Sequence, residues 1–317
     1  MKILVADKFE ESGLKGLKDA GFEVIYEPDL KEEALAEAIR RERPEGLVVR
    51  STRVEAYHLN DSLKLIVRAG AGYNTIDVQA AKEKNIRVSN CPGKNANAVA
   101  ELTFGLILSL DRRIPDNVIA LREGKWNKKE FSQARGIYGR TLGIIGFGNV
   151  GQLVAKLGQC FGMKVLVFSR HLSDEEARSR GIQRVNSLEE LAKESDIVTV
   201  HCALDKETQG MLDEKFFEAM KPGGYFVNTS RAEVVNQKAL EKAIETKKIR
   251  AGLDVFEGEP SSTVGTYEGS LKNNPYVYCT HHIGASTEQA QEAVAEETVR
   301  IFKVFYETGI PPNCVNC

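Results

Sequence analysis

The stretch Thr141-Leu142-Gly143-Ile144-Ile145-Gly146-Phe147-Gly148-Asn149-Val150-Gly151 decides how the rest of this chain is read. An apolar strand runs into Gly146-x-Gly148-x-x-Gly151, and the segment Gln152–Gln159 behind it has the composition of a helix. Gly146 permits a tight turn, Gly148 lets a pyrophosphate approach the backbone, and Gly151 lets helix and strand pack closely. Phosphates then meet the free N–H groups and the positive dipole end of the helix. The spacing predicts a dinucleotide-binding domain, with Gly146, Gly148, Asn149, Val150 and Gly151 against the cofactor. Because the motif starts only at residue 141, the chain before it needs a role of its own.

Composition sets the outer bounds. At 317 residues the chain is long enough for two domains. Hydrophobic residues at 42% and charged residues at 28% describe a globular protein. A formal net charge of −2, from 43 basic and 45 acidic residues, gives no reason to expect nucleic acid or an anionic membrane as partner. Met1–Asp7 is too short an apolar run for a signal peptide and reads as a first strand. The most apolar segment, Ala98–Leu110, contains Glu101 and is too short to cross a bilayer. Cysteines at 91, 160, 202, 279, 314 and 317 have no framework spacing, which points to a reducing cytoplasm. Cys314-x-x-Cys317 is expected to be a frayed tail rather than a redox or metal site.

Strand-length apolar runs alternate with helix-length amphipathic segments along nearly the whole chain. Strands are expected at Lys2–Ala6, Phe22–Tyr26, Gly46–Arg50, Leu63–Arg68 and Ile86–Ser89. They recur at Leu142–Ile145, Val165–Phe168, Ile197–His201, Tyr225–Asn228, Arg250–Val255 and Tyr276–Thr280. This is the signature of α/β architecture with two doubly wound parallel sheets. Asn97–Lys125, interrupted by Pro115, and Thr287–Tyr306 read as helical crossovers. The first domain is then discontinuous, 1–97 plus 286–317, and flavodoxin-like; a Rossmann domain, 98–285, is inserted into it. The cleft between the two is where reacting groups are expected. The segment Ser261–Lys272 reads as a polar surface loop.

In an open parallel sheet, ligands bind beyond the carboxyl ends of the strands. Arg231, Glu259 and His282 each follow a strand of the second half. An imidazole can take a hydroxyl proton as hydride leaves the carbon, and a carboxylate can stabilise the imidazolium and raise its pKa. A guanidinium can hold a substrate carboxylate and polarise the carbonyl that forms. His281-His282 has no Cys or Asp at ligand spacing, so no metal is expected. His58 and His171 read as structural, and His201 as structural or lining the cofactor site. In the first half, the N–H groups of Gly70-Ala71-Gly72 can form a nest for a carboxylate. Arg50 and Arg68, at strand ends near the same edge, suggest a second anionic group such as a phosphate. Arg53 and Lys128-Lys129 are weaker candidates for that contact.

The chain resembles the D-isomer-specific 2-hydroxyacid dehydrogenase family over nearly its whole length. The likeness rests on Arg68-Ala69-Gly70-Ala71-Gly72-Tyr73-Asn74, Ala98-Val99-Ala100-Glu101-Leu102-Thr103, Leu253–Pro260 and His282–Thr287. It implies Arg231 as the substrate-binding arginine and Glu259, which directly precedes Pro260, as the carboxylate. It implies His282, which directly precedes Ile-Gly-Ala-Ser-Thr, as the acid–base group, with His281 where the family often has proline. Ala71, Ala203, Thr229, Asp254, Gly284 and Ala285 are implied as further cofactor contacts, Asp254 on the nicotinamide side. The implied reaction is hydride transfer between NAD or NADP and a small 2-hydroxy or 2-oxo acid. The two arginines favour a phosphorylated substrate, D-3-phosphoglycerate oxidised to 3-phosphohydroxypyruvate at the first step of serine biosynthesis. A glyoxylate or hydroxypyruvate reductase is the alternative within the family. A nucleotide-sensing, corepressor-like binding protein is the alternative from another class.

Two departures shape these expectations. After Val165–Phe168 an NAD site expects Asp or Glu, but here stand Ser169 and Arg170, so acceptance of NADP, and even preference for it, is expected, with Arg170 able to pair with a 2′-phosphate. No added regulatory domain is read in the chain, so feedback inhibition by serine through one is not expected. The family is usually dimeric, and Ala98–Leu110 with Trp126 could serve a homodimer contact, although an apolar helix face is equally explained by the core.

Overall fold

The computed structural model describes residues 1–260 and 264–317. The chain divides into two compact units, Met1–Ala96 with Ala285–Cys317, and Asn97–Gly284.

In the first unit the strands are β1 (Lys2–Val5), β2 (Glu23–Tyr26), β3 (Gly46–Val49), β4 (Leu65–Arg68) and β5 (Arg87–Asn90). All pair in parallel in the order β2-β1-β3-β4-β5, which is flavodoxin-like. Alternation along each strand feeds two cores. Ile3, Val5, Leu65 and Val67 meet Leu17, Ile301 and Phe302 on one face. Leu4, Leu47, Val49, Ile66 and Val88 meet Leu35, Ile39 and Ala81 on the other. The helices Glu11–Asp19 and Glu288–Thr308 approach closely because the first carries glycines. A Cβ at Gly13 would lie 3.0 Å from Ala295, and one at Gly16 would lie 3.0 Å from Val299.

The C-terminus corrects an expectation, because it is docked rather than frayed. Cys314 forms an antiparallel bridge with Ser89, and the Val315 N–H donates to the Val88 carbonyl at 2.8 Å. The buried Asn316 amide accepts from the Val88 N–H and donates to the Ile86 carbonyl, both at 2.9 Å. Cys314 and Cys317 form a disulfide. Sequence reasoning missed this because the tail satisfies an edge strand's unpaired groups, a long-range demand no local pattern reports.

In the second unit the strands are β6 (Thr141–Ile145), β7 (Lys164–Phe168), β8 (Gln183–Arg184), β9 (Ile197–Val200), β10 (Tyr225–Asn228), β11 (Arg250–Leu253) and β12 (Val277–Cys279). They form one parallel sheet in the order β12-β11-β10-β9-β6-β7-β8, a Rossmann order extended by one strand. The strand β8 was not expected; at two polar residues it is too short to display a period.

The structure adds detail to two further expectations. Ala98–Leu110 lies in the helix Ala96–Arg112, where Ala100, Phe104, Leu106, Ile107 and Leu110 are buried in the unit's own core. Its apolar face is thus largely core, while Glu101 and Gly105 are exposed. Its apolarity is spent on β6 and β10 through Leu142, Ile144 and Val227. Several exposed apolar side chains lie on the next helix, Ile114–Arg122, and just beyond it: Ile114, Val118, Ile119, Leu121 and, at 80% exposure, Trp126. Within Ser261–Lys272, residues 261–263 lie outside the described residues. Of the remainder, Leu271 is buried in the core and Tyr267 packs edge-on against Phe256, so the segment is not wholly a surface loop.

Candidate active site

Every expected chemical residue of the second unit follows a strand at its carboxyl end. At the end of β6, Gly146 has φ +91°, and a Cβ there would lie 2.7 Å from the His201 backbone. A Cβ on Gly151 would come within 2.2 Å of the Gly146 carbonyl oxygen, so the glycine allows the helix Asn149–Cys160 to start directly over the strand. Gly148 differs: a Cβ there meets nothing within 4 Å. It caps the helix without any side-chain hydrogen bond, which leaves the first N–H groups without a capping side chain. His201 adds a second feature. Its Nε2 contacts the Thr199 hydroxyl at 2.9 Å, while its buried Nδ1 has no partner among the described residues. Burial holds this imidazole down at about 3, so it stays neutral. An open N-terminal cradle beside an orphaned ring nitrogen fits a dinucleotide.

After β11, Asp254 is fully buried and its carboxylate is saturated by its own surroundings. It accepts from the Thr280 hydroxyl at 2.6 Å, the Ile283 N–H at 2.9 Å and the Gly284 N–H at 2.8 Å. These bonds fix the loop that carries His282, which sits at φ +53°. For a non-glycine residue that conformation costs of order 1 kcal/mol and persists only where neighbours enforce it. Asp254 therefore orients the loop. Thr280 shares that job and was not singled out in the sequence.

A turn at Gly258, φ +81°, brings Glu259 back so that its Oε1 accepts the Phe256 N–H at 2.8 Å. Oε2 then stands 2.8 Å from His282 Nδ1. The bond to Glu259 raises the His282 pKa above its ordinary value, outweighing burial and the opposing charge of Arg231. His282 is 56% exposed, so Nε2 is accessible to a reactant. The neighbouring His281 is exposed. Arg231, half-buried, opens the short helical turn after β10, and its Nη1 donates to the Ser230 carbonyl at 2.7 Å. Thr229 is buried against the Thr103 hydroxyl at 3.0 Å, and the Ala203 carbonyl accepts the Thr208 hydroxyl at 2.7 Å. Gly284 packs so tightly that a Cβ would lie 3.0 Å from Asp254.

One expected residue is engaged differently from its sequence reading. Arg170 is not a free guanidinium: Nη2 donates to Asp205 at 2.9 Å and Nη1 to Glu207. Neither acid was noticed in the sequence, because they lie 35 and 37 residues away on another loop. Ser169 accepts the His171 N–H at 3.4 Å.

In the first unit, Arg68 ends β4 and lies over Gly70, where a Cβ would fall 1.6 Å from its Nη1. Gly70 has φ +153°, which only glycine adopts readily. Its N–H donates to the Arg68 carbonyl, so an anion nest there would rest on Ala71 and Gly72. Arg50 directly follows β3, one residue beyond the Val49 that pairs with Arg68, and its Nη1 approaches Gln291 at 3.4 Å. Its backbone has a tie the sequence did not suggest. Asp7 takes the N–H groups of Arg50, Ser51 and Thr52 at 2.6, 3.0 and 3.0 Å, and both adjoining hydroxyls. Arg53 is exposed, and so are Lys128 and Lys129. His58 has both ring nitrogens tied to backbone groups of Glu55 and Glu32, and His171 is exposed. Among the described residues no cluster of His, Cys, Asp or Glu is arranged to hold a metal, and no helix is long and apolar enough to cross a membrane.

Comparison with known proteins places this geometry in a class. Residues 104–284 match the model of the D-isomer specific 2-hydroxyacid dehydrogenase NAD binding domain. The chain belongs to the D-isomer-specific 2-hydroxyacid dehydrogenase family. It is 38% identical to D-3-phosphoglycerate dehydrogenase of Methanocaldococcus jannaschii over all of this chain but 59% of that protein's length. It is 36% identical to glyoxylate reductase of Thermococcus litoralis, covering 99% of this chain and 96% of that one. The NAD⁺-bound 3-phosphoglycerate dehydrogenase of Entamoeba histolytica superimposes with a TM-score of 0.82 at 28% identity, covering 100% and 99% of the two chains. The family and these neighbours define a nicotinamide-dinucleotide fold.

Proposed function

We propose that the chain transfers hydride between a nicotinamide dinucleotide and a D-2-hydroxy acid, with D-3-phosphoglycerate as the substrate, the first step of serine biosynthesis. The observation that carries the dehydrogenase reading is the 2.8 Å contact between Glu259 and His282 Nδ1. With Nδ1 so engaged, Nε2 is the atom that takes the substrate hydroxyl proton, and Glu259 balances the imidazolium that results. Arg231 binds the substrate carboxylate and polarises the forming carbonyl. The Asn149 end of its helix, Gly146, Gly148, Val150 and Gly151 would hold the pyrophosphate, with Ala203, Thr229, Gly284 and Ala285 as further contacts. The nicotinamide, when bound, supplies the hydride acceptor. Asp254 keeps the His282 loop in register.

Support for a phosphorylated substrate comes from Arg50 and Arg68 at neighbouring strand ends, beside the Ala71 and Gly72 N–H groups. A glyoxylate or hydroxypyruvate reductase is the second reading, favoured by the end-to-end match to the Thermococcus enzyme. Steady-state kinetics with phosphohydroxypyruvate, hydroxypyruvate and glyoxylate separate the two. We expect Arg50→Ala to lower kcat/KM for phosphohydroxypyruvate by about 10- to 100-fold, since it removes a charge-assisted contact, and to change glyoxylate by less than about threefold. Equal losses on both substrates would refute the phosphate role. A homodimer is also proposed, with Ile119, Leu121 and Trp126 as the apolar face that a second copy covers. Light scattering should give twice the chain mass, and a monomer at micromolar concentration would end that proposal.

A further inference from the structure

Cofactor choice is written in a three-residue ion cluster rather than in Arg170 alone. In the second sheet β6 lies between β7 and β9. Arg170 follows β7 by two residues and Asp205 follows β9 by five, so their bond joins the loops on either side of the Gly146 turn. Asp205 is a built feature. Its Oδ1 accepts the N–H groups of Glu207 and Thr208 at 2.8 Å each, which fixes the turn, while Oδ2 holds Arg170. The guanidinium, first among several causes, holds the Asp205 carboxyl down at about 2, so it is ionised at any working pH. Glu207 takes the other arm of Arg170. The three bonded side chains carry one positive and two negative charges.

In Rossmann sites an acid after the second strand binds the ribose hydroxyls and repels a 2′-phosphate, whereas an unpaired arginine welcomes it. Ser169 removes that acid here, yet the neighbouring loop returns two. We propose that Asp205 and Glu207 determine cofactor specificity in this chain by neutralising Arg170 and repelling a 2′-phosphate, so that NAD(H) is preferred over NADP(H). The proposal rests on the dinucleotide reading above and deepens it. Because the cluster is exposed, its ion pairs are individually weak and the preference is easily tuned. A 2′-phosphate dianion facing net negative charge is disfavoured, and removing both carboxylates leaves Arg170 as its partner.

Calorimetric binding of NADH and NADPH to the full chain tests this directly, without turnover. Wild type should bind NADH about tenfold or more tightly than NADPH. In Asp205→Asn/Glu207→Gln the amide oxygen that takes the place of the Asp205 Oδ1 still serves the two backbone N–H groups, so the turn is kept. There the NADH-to-NADPH affinity ratio should fall by about tenfold or more, through a gain for NADPH. Adding Arg170→Ala to that variant should abolish the gain, and thermal shifts with each dinucleotide should follow the same order. Equal or tighter NADPH binding by wild type overturns the proposal, as does a ratio unmoved in the double variant; both leave the dinucleotide reading intact. Failure of wild type to bind either cofactor overturns the proposal and the function reading together.

Discussion

The two sheets share one construction, and they differ in what their first strands do with the N–H groups beyond them. After β1, Asp7 fills the backbone N–H groups of Arg50, Ser51 and Thr52 with its own carboxylate. After β6, Gly146 and Gly148 supply no such group, and the helix beginning at Asn149 keeps its first N–H groups open. The same fold thus makes a self-satisfied anchor in one unit and a receptive cradle in the other. A concave set of amides is a ligand site only when the chain does not bring its own anion.

The sharpest test of where chemistry resides is His282→Asn, which should lower kcat by about 10³-fold if the second unit carries the acid–base group. A variant with unchanged turnover would mean that the site lies elsewhere. Next in size, Asp7→Ala leaves three N–H groups without their carboxylate, one of them on the buried Thr52, and should destabilise the protein by about 2 kcal/mol in urea melts. Gly148→Ala should instead leave unfolding within about 0.5 kcal/mol of wild type, because its backbone suits alanine and the space is empty. Its dinucleotide affinity should fall about tenfold, because the methyl group stands where the pyrophosphate approaches. If both variants destabilise equally, the distinction between a filled and an open nest collapses.

A pH profile sharpens the comparison further. Hydroxy-acid oxidation needs the neutral imidazole, so the rate should rise with pH through the pKa of His282. Glu259 holds that pKa above the ordinary 6.5. In Glu259→Gln the acid limb of kcat/KM should move to lower pH by about one unit, along with a lower maximum. A limb that stays put would show that another group titrates. The smallest effect is expected in the first unit. Reducing Cys314–Cys317 opens only a short loop and should cost at most about 2 kcal/mol, seen as a modest drop in Tm.

How much of this was legible depended on range in sequence. The parallel sheets, the glycine turn and the placement of Arg231, Glu259 and His282 after strands all follow from local pattern. Apolar runs and glycine spacing are written over a few residues. The helix Ala96–Arg112 shows where such reading stops: its apolarity suited core and contact surface alike, and its partners on β6 and β10 emerge only from the fold. Asp7 was legible only as an acid after a first strand. The bonds from Asp205 and Glu207 to Arg170, and the docking of Asn316 on β5, join residues that only folding brings together.

The sequence by itself determined the two-sheet plan, the glycine turn and which residues stand beyond the strand ends, because strand periodicity and glycine stereochemistry are properties of short segments. Only the tertiary structure decided which of those residues are engaged. Asp7 closes one nest, Asp254 holds the His282 loop, and Arg170 enters any cofactor contact already paired. Charge and hydrogen-bond capacity belong to residues, but whether they are spent is set by neighbours that the fold delivers from far along the chain.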